Sequence, residues 1–490
     1  MPTSSTDAVR FIGPREFSGI LPDLTMDKEE ARRATPIENE TVRDWKRGVF
    51  SGHRLLVALL LVLGIVALYM IQAWLWSASQ KPHGFIENVW SWGSILWITA
   101  VIPGSLGLAG LLFYKHPHPH DLDAVKYFDK QVSFRIVSRG TNVEALTSTI
   151  RRCQNEMAKA PLFPYVIEVV TDTQNLHLPA PNDDLKYITV PKEYKTPNKS
   201  LYKARALQYA VEHSTLPDDA WIVHLDEETQ ITRSGIKGIC KMIREEEISG
   251  KLRIGQGAIL YHRKWTEHPF LTLADNVRTG DDFARFHFQH RLGVTVFGLH
   301  GSYIVVRNDI EKSIGFDFGY NGSITEDAFW ALMAMQNGHR CRWVEGYLEE
   351  QSTQSIGDFI RQRRRWFQGL VKVSLYAPVK LRWRLCIGIN TTLWALAPFA
   401  LLYTIGHIFY GFAVPAWLQF MANFSFASFG VLYMIGLRAN LDEYGIENRL
   451  HRFGWSAAQL VLLPIFSAME GLGVLSAIFS PDKGFHVVKK

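Results

Sequence analysis

Ser355 to Tyr376 reads S-I-G-D-F-I-R-Q-R-R-R-W-F-Q-G-L-V-K-V-S-L-Y, and the rest of the chain falls into place around it. Ile356, Phe359, Ile360, Phe367, Leu370 and Val371 recur at steps of three and four, the spacing of one helix face. Arg361, Arg363, Arg364, Arg365 and Lys372 add a dense positive charge. Such a helix suits a membrane surface, with apolar side chains at the acyl boundary and cations at the headgroups. Within it stands Q-x-x-R-W: Gln362, Arg365 and Trp366. Steps of three and four put these on one side of a helix, where an amide, a guanidinium and an indole could hold a sugar and a diphosphate. Taken alone, arginines beside a membrane are more often plain lipid anchors, and Arg361, Arg363 and Arg364 are read that way.

Outward from this helix, charge is distributed unevenly. Leu55 to Trp76, Asn88 to Tyr114 and Leu385 to Leu437 contain no Asp, Glu, Lys or Arg. About 20 residues at ~1.5 Å each cross a hydrocarbon core, so the first two stretches are one span each. The third is long enough for two, broken near Gly411 to Pro415, and Pro103-Gly104 is expected to kink the second span. Trp455 to Ser480 is a fifth candidate, carrying Glu470 and the helix-disturbing Pro464, Gly471 and Gly473. If it crosses, Lys483, Lys489 and Lys490 end in the lumen, against the positive-inside rule; a re-entrant hairpin around Pro464 to Gly473 would keep them cytosolic. Arg43, Lys46, Arg47 and Arg54 before the first span set the N-terminus in the cytosol. The net charge of +6 gathers beside the membrane, which favours lipid headgroups over nucleic acid. Four separated cysteines show neither metal spacing nor a disulfide framework. No obligate protein partner is implied.

The expected organisation is a cytosolic, largely disordered tail (1–48), two transmembrane helices (49–114), a cytosolic catalytic block (115–354), amphipathic interface helices (355–384), two transmembrane helices (385–437), a cytosolic loop (438–454), a spanning or re-entrant segment (455–480) and a tail (481–490). In the catalytic block, strand-like runs at Phe134 to Val137, Val166 to Val170, Tyr187 to Val190 and Trp221 to Leu225 alternate with helical patterns at Tyr202 to Glu212 and Ile236 to Glu246. That alternation predicts an α/β sheet. Ligands of such sheets bind beyond the carboxyl ends of the strands, which directs attention to Asp172 and Asp226.

Asp172 follows V-I-E-V-V, a position where a carboxylate is often only a turn former. Asp226-Glu227-Glu228 follows W-I-V-H-L; three crowded acids invite a divalent cation, and Mg²⁺ or Mn²⁺ prefers one or two carboxylates with phosphate oxygens. Asp226 and Glu228 are the candidate metal ligands. Lys203 follows an acid-poor loop and could meet a phosphate. Thr325-Glu326-Asp327 precedes an apolar helix; acids there are the ordinary answer to the helix dipole, and the functional reading is Asp327 as a general base. His300-Gly301-Ser302 leads into a strand at Tyr303 to Val306, and glycine there would let a ligand approach the backbone closely.

In order, an Asp after the second strand, an acidic cluster after the fourth, T-E-D before a helix and Q-x-x-R-W before membrane spans form a pattern. From about Phe134 to Trp366 the chain resembles membrane-bound family-2 glycosyltransferases. H-L-D-E-E-T, L-H-G-S-Y, G-S-I-T-E-D and Q-R-R-R-W-F-Q-G resemble the egghead-type β-1,4-mannosyltransferases of glycosphingolipid synthesis. The first strand departs from the wider family: it ends S-R-G-T-N where P-x-Y-N-E is common. The resemblance implies a GT-A glycosyltransferase domain, with a single Rossmann-like, mostly parallel sheet, plus α-helical transmembrane segments. It implies inverting transfer of mannose from GDP-mannose to glucosylceramide in the Golgi or endoplasmic reticulum. Asp327 would be the base; Asp172, Lys203, Asp226, Gln362 and Arg365 would bind the donor; Trp366, His300, Gly301 and Glu326 would bind the acceptor. Alternatives are a UDP-sugar polysaccharide synthase, a ceramide glucosyl- or dolichol-linked transferase, a transporter, or a non-catalytic scaffold. His407 and Glu470 are the only ionisable residues in the spans, which disfavours a transport path.

Overall fold

The computed structural model describes residues 52–75, 81–114, 122, 124–173, 177–263, 265 and 267–480. The expected N-terminal tail, Lys115 and the C-terminal lysines lie outside them. In chain order the elements are α1 (Gly52–Leu75), α2 (Phe85–Phe113), β1 (Val132–Ser138), α3 (Val143–Lys159), β2 (Tyr165–Thr171), β3 (Leu185–Thr189), α4 (Tyr202–His213), β4 (Trp221–Asp226), α5 (Arg233–Ser249) and β5 (Ile254–Arg263). There follow α6 (Pro269–Asp281), a π-helical turn (Asp282–Phe286), α7 (His287–Arg291), β6 (Ile304–Arg307), α8 (Asn308–Ile314), α9 (Glu326–Gln336), β7 (Cys341–Gln351), α10 (Ile356–Tyr376), α11 (Leu381–Phe409), α12 (Ala416–Tyr444) and α13 (Arg449–Phe479).

The strands form one seven-stranded sheet in the order β3-β2-β1-β4-β6-β5-β7. β6 runs antiparallel to both neighbours and every other pairing is parallel. Phe134, Ile136, Val223 and Leu225 bury one sheet face against Ile150 of α3 and Ile239 of α5. Ile222 and Val306 bury the other against Leu207 of α4 and Trp330 of α9. Each such side chain contributes roughly 1.5–3 kcal/mol when fully buried. The four expected strands are present, and β1 runs longer at both ends. Its apolar run is interrupted by Arg135, which is fully buried because Glu168 of β2 and Glu311 of α8 both accept from its guanidinium, at 2.8 and 2.9 Å. β1, β2 and β4 finish level, with Ser138 opposite Thr171 and Val137 opposite Asp226. This shared edge presents Ser138, Asp172 and Asp226 together.

Five described helices are long and apolar enough to cross a membrane: α1, α2, α11, α12 and α13. In α2 the irregularity falls just before Pro103, where Gly93–Ala100 tightens into a 3₁₀ stretch. Gly110 lets α2 close on the π-helical turn, since a Cβ there would stand 1.9 Å from the Ala284 carbonyl oxygen. The break at Gly411 to Pro415 is as expected. The expected loop 438–454 is instead mostly helix, because the polar end of α12 docks on the catalytic block. Asn440 accepts from the Tyr261 amide at 2.8 Å and donates to Asn276 of α6 at 2.7 Å.

α13 is one unbroken helix through Pro464, Gly471 and Gly473, not a hairpin. It lies across α6. Gln459 accepts from Asn276 at 2.7 Å, while eleven residues on, Glu470 meets Arg363, which also holds Asp275. Its start is tied to α12 by Arg452 and Asp442, 2.5 Å apart, and Arg364 of α10 donates to the Ser480 carbonyl at its end, at 3.4 Å.

Candidate active site

At the level edge of β1, β2 and β4 opens a cavity of about 1450 Å³. It is lined by Ser138, Asp172, Lys203, Arg205, Asp226, Glu228, His300, Gly301, Glu326, Asp327, Gln362, Arg365 and Trp366, and it continues between the membrane helices. Every residue singled out from sequence for donor, acceptor, metal or base lines this cavity.

Gly301 stands at its centre. A Cβ there would lie 2.9 Å from Lys203 Nζ, 3.4 Å from Asp327 Oδ2 and 3.5 Å from Asp226 Oδ2. Lys203, near the start of α4, pairs with Asp226 at 2.5 Å and Glu326 at 3.4 Å, and donates to the Gly301 carbonyl at 3.2 Å. Ser302 fixes β4 by accepting from the Asp226 amide at 2.9 Å. Asp327 sits in the first turn of α9 with Oδ1 accepting from the Ala328 amide at 2.7 Å. Burial, and then the neighbouring Glu326 charge, push its carboxyl up to about 7. Such a group can take a proton near neutral pH.

In the acidic cluster the middle residue is engaged by β1: Glu227 accepts from Ser138 Oγ at 2.5 Å. Asp226 and Glu228 line the cavity. Among the described residues no group of three or more His, Cys, Asp or Glu could hold a metal unaided. Two carboxylates facing a cavity are the donor set that Mg²⁺ or Mn²⁺ completes with phosphate oxygens, so these residues fit such an ion.

α10 closes the cavity from the membrane side. Ser355 caps it, accepting from the Asp358 amide at 3.1 Å. Gly369 allows the approach to T-E-D, for a Cβ there would fall 2.3 Å from Thr325 Cγ2. Arg365 then faces Glu326, Asp226, Asp327 and Glu228; its own burial pulls its pKa down, and these acids hold the guanidinium charged. Arg363 is not the lipid-facing cation expected from sequence. It is buried, held by Asp275 at 2.7 Å and Glu470 at 2.5 Å, and it donates to Gln362 Oε1 at 2.8 Å. Helical geometry turns it toward α6 and α13 because those helices cover the face that was read as lipid-exposed. Arg361 is exposed and pairs with Asp358 at 2.8 Å. Trp366 carries two guanidinium neighbours, Arg278 at 4.6 Å and Arg363 at 4.4 Å.

His300 Nε2 lies 3.2 Å from Asp282 Oδ1 in the π-helical turn. Burial, then Arg278 and Arg285, pull its pKa down to about 3, so the ring is neutral. Sequence reading missed Arg205, which pairs with Asp172 at 2.5 Å, and also Arg278, Arg285 and Asp282. The signals were faint: Arg205 follows Lys203 by two, and Arg278 and Arg285 stand two helical turns apart.

Residues 221–438 match the model of glycosyl transferase family group 2. The chain is 32% identical to the β-1,4-mannosyltransferase egh of Drosophila melanogaster over 389 residues, 78% of this chain and 83% of the fly protein. It is 31% identical to the β-1,4-mannosyltransferase bre-3 of Caenorhabditis elegans over 397 residues, 80% of this chain and 86% of the worm protein. The chain belongs to the β-1,4-mannosyltransferase family of the family-2 glycosyltransferases. Among solved structures it is similar to mannosyltransferase PcManGT from Pyrobaculum calidifontis in complex with GDP-Man and Mn²⁺, at 11% identity and a TM-score of 0.42, covering 79% of this chain and 100% of that one. This family-2 glycosyltransferase carries its mostly parallel, GT-A-type sheet and five membrane-compatible helices in one chain.

Proposed function

We propose that this mannosyltransferase moves mannose from GDP-mannose to the 4-hydroxyl of glucosylceramide with inversion, on the cytosolic face of the Golgi or endoplasmic reticulum membrane. The observation that carries the reading is the convergence of Lys203, Asp226 and Asp327 on Gly301 in a cavity that runs on between membrane helices. One open end suits a soluble nucleotide sugar, the other a lipid.

In this reading the acceptor hydroxyl attacks the anomeric carbon, the carbon–oxygen bond to the diphosphate breaks, and Asp327 takes the hydroxyl proton. GDP leaves with the bonding pair. Lys203 and Arg365 neutralise the diphosphate, Arg365 with a two-donor grip that a point charge cannot reproduce. Asp172, braced by Arg205, holds the nucleoside. Neutral His300, Gly301, Glu326 and Trp366 border the acceptor sugar. Asp226 and Glu228 would hold Mg²⁺ or Mn²⁺, which supplies positive charge against the charge developing on the leaving diphosphate. The β-1,4-mannosyltransferases egh and bre-3, similar over most of the chain, support the mannosyl transfer and the β-1,4 linkage.

The test is transfer by purified protein in nanodiscs from GDP-mannose, UDP-glucose, UDP-galactose and UDP-N-acetylglucosamine, with glucosylceramide present. Mannosyl-β-1,4-glucosylceramide from GDP-mannose alone is expected. Transfer from a UDP-sugar in its place overturns the reading.

A further inference from the structure

The cavity is larger than the roughly 300–1,000 Å³ of ordinary small-ligand sites, and its excess volume lies among membrane helices. Leu60, Gly64, Ala67, Ile71 and Leu75 of α1 line it, as do Trp394, Ala397 and Leu401 of α11. From Leu60 to Leu75, α1 rises about 22 Å. That exceeds the ~15 Å half-thickness of a hydrocarbon core, so the groove reaches past one leaflet.

α1 is held as a wall rather than as part of a bundle. Only 11% of its most apolar stretch is buried, against 61% for α12. Gly64 comes close to Ala427 of α12, where a Cβ would stand 3.1 Å from the Ala427 Cβ. Near the far end, Gln72 and Asn423 exchange hydrogen bonds at 2.7 and 2.9 Å, and Gln419 donates to Gln72 at 2.9 Å. Paired amides inside a membrane satisfy one another and fix helix spacing. Here they pin α1 to α12, so the groove keeps its width while Ala67 and Ala397, both exposed small residues, face its space.

We infer that this groove is the binding site for the hydrocarbon chains of the acceptor glycolipid, which enter sideways from the bilayer while the sugar reaches Asp327. Continuity decides the occupant: one end of the same cavity holds the catalytic acids and the other is apolar, the two halves of a glycolipid. The inference rests on the lipid-acceptor reading above and adds where the chains lie and what limits their length.

Ala67→Trp and Ala397→Trp fill open space without touching the catalytic wall. In nanodiscs each should cut kcat/KM for long-chain glucosylceramide by at least about tenfold, chiefly through KM, since pocket contacts of a few methylenes are worth that much. KM for GDP-mannose and transfer to a short-chain alkyl glucoside should stay unchanged. A glucosylceramide bearing a diazirine on its acyl chain should label peptides of 60–75 and 393–408, and unlabelled glucosylceramide should compete. Equal loss with both acceptors, labelling elsewhere, or labelling that only bulk phospholipid displaces overturns the groove. A wild-type enzyme that uses neither glucoside, yet shows competed labelling in these peptides by another glycolipid, overturns the acceptor identity and leaves the groove standing.

Discussion

Arg363 Nε lies 2.5 Å from Glu470 Oε1, and this contact joins the helix that closes the active site to the one acidic residue of α13. The same guanidinium holds Asp275 of α6, touches Gln362 and lies 4.4 Å from the Trp366 ring. The first arginine of Q-R-R-R-W is thus a strut between the membrane-proximal helices and Gln362 and Trp366, which line the cavity.

Breaking this strut should cost stability before chemistry. Removing one partner of a buried ion pair leaves an uncompensated charge and costs about 3–5 kcal/mol. Glu470→Ala leaves Arg363 with Asp275 alone, so it should lower the melting temperature in detergent, and Glu470→Ala with Asp275→Ala, which strips both partners, should lower it further. Arg361→Ala, at an exposed position, should stay within about 0.5 kcal/mol of wild type. An Arg361→Ala protein as unstable as Glu470→Ala would show that the four arginines are equivalent.

The raised carboxyl of Asp327 fixes a pH dependence. A carboxyl at about 7 keeps its proton below that pH, so the base form is lost, and kcat/KM falls, as pH drops through the folded value. A cation at Asp226 and Glu228 would pull this limb lower. Glu326 is the largest charge holding it up, so Glu326→Gln should move the acid limb to lower pH. Asp327→Asn should remove ~10²–10⁴ of the rate while GDP-mannose binding survives. An unmoved limb in Glu326→Gln, or an Asp327→Asn enzyme with more than about a tenth of wild-type turnover, assigns the base elsewhere.

Gly301→Ala tests the centre of the site with one methyl group. Its Cβ would press on Lys203 Nζ at 2.9 Å, the movable end of a long side chain, so the fold should hold. Lys203 must then shift relative to Asp226, and misplacement of about 1 Å can cost ~10²-fold in rate. A normal melting temperature with a large loss of kcat is the expected result. Full activity would show that the space beside Gly301 is not used by substrate.

The legible parts of this chain were those with a local signal. Asp172 and Asp226 could be found because an apolar strand stops at each, and Gln362, Arg365 and Trp366 because helical steps align them. β7 was not legible: C-R-W-V-E-G-Y-L-E-E-Q carries charges whose partners, such as Arg342 with Glu246, stand about a hundred residues away. Arg363 was misread for the same reason. Its sequence neighbours are cations, and its acids come from α6 and α13, which periodicity within one helix does not reveal.

The contacts of α13 predict the side on which the chain ends. By length and composition it could cross a membrane. Yet Gln459 and Glu470, eleven positions and about 16 Å apart along the helix, both reach neighbouring positions of α6, one directly and one through Arg363. Arg364, on the helix that closes the active site, reaches Ser480. A helix that descended through ~30 Å of hydrocarbon could not keep both contacts with elements on the catalytic side. Its exposed face, with Leu450, Phe453, Val461, Leu472 and Phe479, is apolar, which suits lying against acyl chains at the interface. If α13 lies so, the chain leaves it on the side of the catalytic domain, as the positive-inside rule asks. In sealed microsomes, a tag after Lys490 should be digested by added protease together with a tag before Met1, while a tag in the 411–415 connection should be protected. A protected C-terminal tag would mean that α13 crosses the bilayer.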